Sequence, residues 1–158
     1  MLTIVIFFIL VNGVFALLIR SLPLKLFDEK LTIYQVETLE KRLYRCLKVN
    51  RWKKYLPQAG WMTGFSRRRL PKEIDLAYVK RFVWEICCAM FGHFFMAFLG
   101  LLAPLLAYLP WMEGTNLMLW ILAVIHFFFQ FLYVMIQRYN LPRFIKLKGR
   151  LVKSSQYA

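Results

Sequence analysis

Glu85 and His93 are ionisable side chains set in an otherwise apolar stretch that runs from Phe82 through ICCAMFGHFFMAFLGLLA. A charge at mid-bilayer costs about 2.5–3.5 kcal/mol on insertion scales, so such groups are candidates for chemistry. A neutral imidazole can take the proton of a hydroxyl, and a nearby carboxylate can orient it or balance its charge. On a regular helix the two lie about 12 Å apart in rise and roughly 80° apart in rotation, sharing a broad face without touching. Gly92, beside His93, would let a substrate or another backbone come close. The plainer alternative has His93 bonded to a neighbouring helix and Glu85 paired with an arginine.

A second histidine, His126, stands in IHFFFQF with Gln130 four residues later on the same helical face. Interhelical hydrogen bonding accounts for both. Two basic motifs stand at the cytoplasmic boundary, the second of them closing the third span. Arg51-Trp52-Lys53-Lys54-Tyr55-Leu56-Pro57 mixes cations with aromatics as interfacial anchors do, and Gln137-Arg138-Tyr139-Asn140-Leu141-Pro142-Arg143 adds directional polar groups that an anchor does not require. Arginine can bind phosphate bidentately. Arg67-Arg68-Arg69 reads as a lipid-facing charge run. Cys46, Cys87 and Cys88 give neither a disulfide framework nor a metal-ligand pattern, and no metal site is expected.

The elements that position these groups follow from hydropathy and charge. The 158 residues are 60% hydrophobic, yet Lys and Arg number 22 against 8 Asp and Glu, for a net charge of +14. The two populations are segregated along the chain. Three apolar segments, about 2–19, 82–103 and 117–136, are long enough to cross a hydrocarbon core. The first has no charge, no basic leader and no small-residue cleavage site after it, so it reads as an anchor and not a signal peptide. Pro104 marks a kink or an end, and Pro104 to Met112 reads as a short re-entrant or interfacial turn. Every Lys and Arg falls between Arg20 and Arg81 or between Arg138 and Lys153. Under the positive-inside rule residues 20–81 and the tail 137–158 are cytoplasmic, with the N-terminus outside.

Within the cytoplasmic segment, Val36, Leu39, Leu43, Cys46 and Leu47 follow helical spacing, which predicts an amphipathic helix over Val36 to Val49. Pro57, Gly60 and Gly64 predict a loop through Gln58–Ser66. Pro71 followed by Lys72-Glu73-Ile74-Asp75 predicts a helix start, continuing through Glu85 into the second span. The expectation is an all-α fold: one small polytopic membrane helical bundle over 1–158, with three transmembrane spans and a cytoplasmic amphipathic helix. Its basic surface suits anionic lipid head groups or a phosphorylated substrate. Nucleic acid is not an expected partner, since the cations flank apolar segments and no nucleic-acid-binding signature is present.

Arg51-Trp52-Lys53 with Leu56-Pro57, Gly64-Phe65-Ser66 before a basic run, Glu85, Ala89 and His93, and Gln137-Arg138-Tyr139-Asn140-x-Pro142-Arg143 occur in that order. In these strings the chain resembles the bacterial glycosyl-4,4'-diaponeurosporenoate acyltransferases, small membrane enzymes of carotenoid glycolipid synthesis. The resemblance covers roughly Asn50 to Leu147, and the QRYNxPR string is its most specific element. It implies transfer of a fatty acyl group to a hydroxyl of a lipid or glycolipid at the cytoplasmic interface of a bacterial cell membrane. His93 would deprotonate the acceptor and Glu85 would orient it. Arg51, Trp52, Lys53, Gln137, Arg138, Tyr139, Asn140 and Arg143 would bind substrate, the cations holding donor phosphates or the developing oxyanion. No cofactor is implied beyond an acyl donor such as acyl-CoA or acyl carrier protein. The chain departs from that family at Cys88 and Met90, where members carry Arg and Glu, and at Gln130 and Leu132, where they favour Asn and Pro. The competing reading is a non-catalytic subunit that binds anionic lipid or a membrane protein partner through its basic face.

Overall fold

A computed structural model describes residues 2–56, 74–110 and 116–156. Most of them are helical, and there is no strand among the described residues. Helix α1 is Leu2–Ser21, α2 Thr38–Cys46, α3 Val49–Trp52, α4 Leu76–Gly100 and α5 Asn116–Gln156, with 3₁₀ turns at Leu24–Phe27, Thr32–Tyr34 and Ala103–Tyr108. The expected all-α class is what the structure shows. Three helices, α1, α4 (continued by its 3₁₀ turn to Tyr108) and α5, are long and apolar enough to cross a membrane.

Local sequence explains where the helices stop. After α1 the Ser21 hydroxyl donates to the Leu18 carbonyl at 2.7 Å, and Pro23 bars a further turn. Helix α4 gives out at Gly100, and Pro104 sits in the first turn of the 3₁₀ segment. The apolar stretch continues through that proline as the 3₁₀ turn to Tyr108. Helix α5 does not end at Ile136, where hydropathy falls, but runs on through Pro142 to Gln156. The predicted helix over Val36 to Val49 is two helices. Lys48 between them has φ 51°, the left-handed region, and turns the chain into α3. The loop predicted through Gln58–Ser66, the Arg67–Arg69 run and the helix start at Pro71 lie outside the described residues.

The chain divides into two compact units, one of Met1–Leu24 with Cys88–Val134, the other of Lys25–Cys87 with Met135–Ala158. In the first, Ile4 and Leu119 are buried among Phe8, Leu106, Ala107, Leu109, Met118 and Leu122. Only 11% of the most apolar stretch of α1 is buried, so the rest of that helix offers hydrocarbon to its surroundings. A Cβ on Gly100 would lie 2.1 Å from Nδ1 of His126, which is why no larger residue fits where that ring meets α4.

In the second unit Tyr44, Val49 and Ile136 are buried with Val36, Trp52, Leu56, Met135 and Tyr139 around them. Phe82 of α4 stacks on Phe144 of α5, ring centroids 4.3 Å apart. Phe27 meets Trp84 edge-on, and Lys148 pairs with Glu29. The apolar stripe of α2 faces outward: Leu39 is 72% exposed, Leu43 52% and Leu47 46%. What α2 buries is Tyr44, a quarter-turn round from Leu43.

Candidate active site

Within the first unit the three spans join through side-chain amides and imidazoles. His93 Nδ1 lies 2.7 Å from Gln130 Oε1. Gln130 Nε2 donates to Asn12 Oδ1 at 2.6 Å and lies 3.1 Å from His126 Nε2. Asn12 Nδ2 donates to the Phe8 carbonyl at 2.7 Å and also lies 3.1 Å from His126 Nε2. In hydrocarbon these groups have no water to turn to, and they pair with one another except at His126 Nδ1, which is buried with no hydrogen-bond partner among the described residues. Gln130 is buried, and the Tyr133 ring stacks on His93 with centroids 4.8 Å apart and planes 16° from parallel. The bonding expected of His126 and Gln130 is therefore present. Asn12 was missed in the sequence reading, although a lone amide in an uncharged span is itself a signal.

The second unit holds the remaining candidates, and they divide by what they touch. The Arg138 guanidinium grips Glu40 through Nε and through an Nη at 2.7 Å, and donates to the carbonyls of Ile33 at 2.5 Å and Gln35 at 2.8 Å. Glu40 also accepts from the Tyr44 hydroxyl. Burial alone would raise the Glu40 carboxyl, but hydrogen bonds from Arg138 and Tyr44, with the arginine's charge, hold it below its ordinary value. Burial, then the Glu40 carboxylate, push the Tyr44 phenol well above its own. Arg138 is thus committed to the fold.

Lys53, Tyr139, Asn140 and Arg143 come together around one ring. Lys53 Nζ sits 4.7 Å from the Tyr139 centroid and donates to Asn140 Oδ1 at 3.2 Å. The Arg143 guanidinium lies 4.4 Å from the same centroid and donates to the tyrosine oxygen at 2.5 Å. Asn140 is buried, its amide donating to the Ile136 carbonyl at 2.5 Å. Two cations on one aromatic ring, with Arg143 exposed, make a surface that attracts an anion. Trp52 packs in the adjoining core and donates to the Leu47 carbonyl at 3.0 Å. Arg51 lines a shallow open depression with Asn50, Trp52, Lys54 and Tyr55. Gln137 is partly buried on α5.

Glu85 forms an ion pair with Arg81 at 3.1 Å, one turn earlier on α4, and Arg81 covers the Trp84 ring at 4.3 Å. His93 belongs to the first unit and Glu85 to the second. Cys88 and Met90, between them, are both buried.

Residues 23–150, most of the chain, match the family model described as glycosyl-4,4'-diaponeurosporenoate acyltransferase. No curated protein and no solved structure matches.

Proposed function

The chain belongs to the glycosyl-4,4'-diaponeurosporenoate acyltransferase family, and from that premise we propose that it moves a fatty acyl group from a thioester donor to a hydroxyl of a membrane lipid or glycolipid at the cytoplasmic interface. The observation that carries this reading is His93, an imidazole within a membrane-spanning helix, held by Gln130 and stacked on Tyr133. In the step envisaged, the acceptor oxygen bonds to the acyl carbon as its O–H proton passes to His93. The C–S bond then breaks, the thiolate leaves, and the proton returns to sulfur, giving an ester and a thiol. In the second unit, taken by itself, Lys53 and Arg143, with Arg51, offer positive charge that suits an anion such as the phosphates of acyl-CoA or acyl carrier protein. Glu85, bonded to Arg81, is assigned no proton transfer.

The test uses purified protein in lipid nanodiscs, radiolabelled acyl-CoA and a panel of glycolipids, with His93→Ala beside the wild type. General-base catalysis contributes about 10²–10⁴-fold, and the variant should lose a factor in that range. Equal label transfer by both proteins removes His93 from the mechanism. One observation favours a second reading, a non-catalytic subunit that binds anionic lipid or a protein partner. Cys88 and Met90, where the resembled family carries Arg and Glu, are buried apolar positions here. Failure to acylate any acceptor would favour that reading.

A further inference from the structure

Hydrogen-bond direction can be traced from one backbone carbonyl to His93. The Phe8 oxygen can only accept, so the group 2.7 Å from it is the Asn12 amide NH₂. Oδ1 of Asn12 is then the atom facing Gln130, at 2.6 Å, and because it too only accepts, the Gln130 NH₂ must face it. That turns Gln130 Oε1 towards His93, 2.7 Å from Nδ1. An oxygen without a hydrogen can bond there only if Nδ1 carries the proton. In a neutral imidazole the lone pair then belongs to Nε2.

His126 closes the pattern. Its Nε2 lies 3.1 Å from each of the two NH₂ groups, which use their second hydrogens on it. Nε2 of His126 must therefore be the acceptor, and a protonated His126 would set three donors against one another. One set of proton positions suits these contacts, and it leaves the His126 Nδ1–H buried without an acceptor among the described residues. Reversing either amide places two acceptors or two donors in contact.

We infer that Asn12 and Gln130 are positioning residues that hold His93 as its Nδ1–H tautomer, leaving Nε2 as the proton acceptor for the transferring hydroxyl. The inference rests on the general-base reading above. It adds α1 to the reactive group, through a residue outside the matched stretch 23–150. Gln130 serves both protonation states. Its oxygen accepts from Nδ1–H before the proton arrives, and more strongly once the ring is charged. A neutral amide does this without placing a second ionised group in hydrocarbon. Tyr133, parallel to the ring, limits the direction in which Nε2 can point.

The chain has two histidines, so nitrogen NMR of histidine-labelled protein in lipid nanodiscs can resolve them, with the His93 signals identified by their loss in His93→Ala. The wild type should show a single His93 tautomer protonated at Nδ1. Gln130→Met, apolar and similar in length, should give a mixture of both tautomers. Its kcat should fall about tenfold to a hundredfold, with the donor KM unchanged and the acid limb of the pH profile displaced. Asn12→Ala, which frees Gln130 to turn over, should give the same mixture. A wild-type His93 protonated at Nε2, or a tautomer unaltered in Gln130→Met, overturns the relay even if transfer persists. Undiminished transfer by His93→Ala overturns the catalytic reading beneath it, even if the tautomer is as inferred.

Discussion

Four of the five N–H donors of an arginine side chain are spent by Arg138 on Glu40 and two backbone carbonyls, whereas Lys53 and Arg143 both lie against a single tyrosine ring. The distinction separates a cation held by the fold from two proposed to bind an anion, although all three look alike in sequence. Glu40→Gln should destabilise the protein by about 1.5–3 kcal/mol, the worth of hydrogen bonds to a charged group. Because the Glu40 carboxyl is held below its ordinary 4.5, its contribution is fully present above that value. It is lost as the pH falls through the lowered folded value. Thermal unfolding followed from neutral to acid pH should therefore lose less stability in Glu40→Gln than in the wild type. Arg143→Gln and Lys53→Gln should instead leave the melting temperature nearly unchanged and raise the KM for an anionic acyl donor severalfold, measured by initial rates. The QRYN string marked this stretch as more than an anchor, but Arg138 meets Glu40 98 residues earlier in the chain. No spacing rule reaches that far, so the sequence could not say which of its cations was committed.

Helices long enough to span were legible because hydropathy over about 20 residues is a sum that no single contact can reverse. Boundaries set by one residue were not. The stripe Val36, Leu39, Leu43, Cys46 and Leu47 predicts a single helix, yet the chain breaks at Lys48, the only non-glycine with positive φ among the described residues. Tyr44 and Val49 are buried together with Ile136, 87 residues beyond Val49 in the chain, a contact that helical periodicity does not encode. A left-handed residue with a Cβ costs about 1–2 kcal/mol. Lys48→Gly should recover about 1 kcal/mol of that, seen as a rise in melting temperature. At Gly100 the outcome is opposite. A methyl 2.1 Å from the His126 ring cannot be housed without moving imidazole or backbone. Gly100→Ala should cost about 1–3 kcal/mol, in keeping with overpacked cores, and should perturb the His126 resonances more than those of His93. Gly92→Ala meets the ends of two flexible side chains, Ile19 closely and Met96 at ordinary contact, and should be milder.

For the molecule as a whole, the decisive pattern is where positive charge is absent. All 22 Lys and Arg lie before the second span's apolar core or after the third's, and the connection from Pro104 to Asn116 carries only Glu113. Holding cations on the side where anionic lipid and the membrane potential favour them fixes orientation during insertion. We propose that three crossings place that connection on the outer side, with α2 and the end of α5 inside. The exposed Leu39, Leu43 and Leu47, with Lys41, Arg42, Arg45 and Lys48 alongside, suit a lipid head-group level. Sidedness is open to a thiol test. Cys46 is exposed and would react, so the background is Cys46→Ser; Cys87 and Cys88 are buried. In that background a membrane-impermeant maleimide added to right-side-out vesicles should modify Met112→Cys and spare Ser154→Cys. Inverted vesicles should reverse the result. Modification of both from one side would mean an even number of crossings between residue 112 and residue 154. The third span, and with it an inner face for the cationic cluster at Lys53 and Arg143, would then have to be given up.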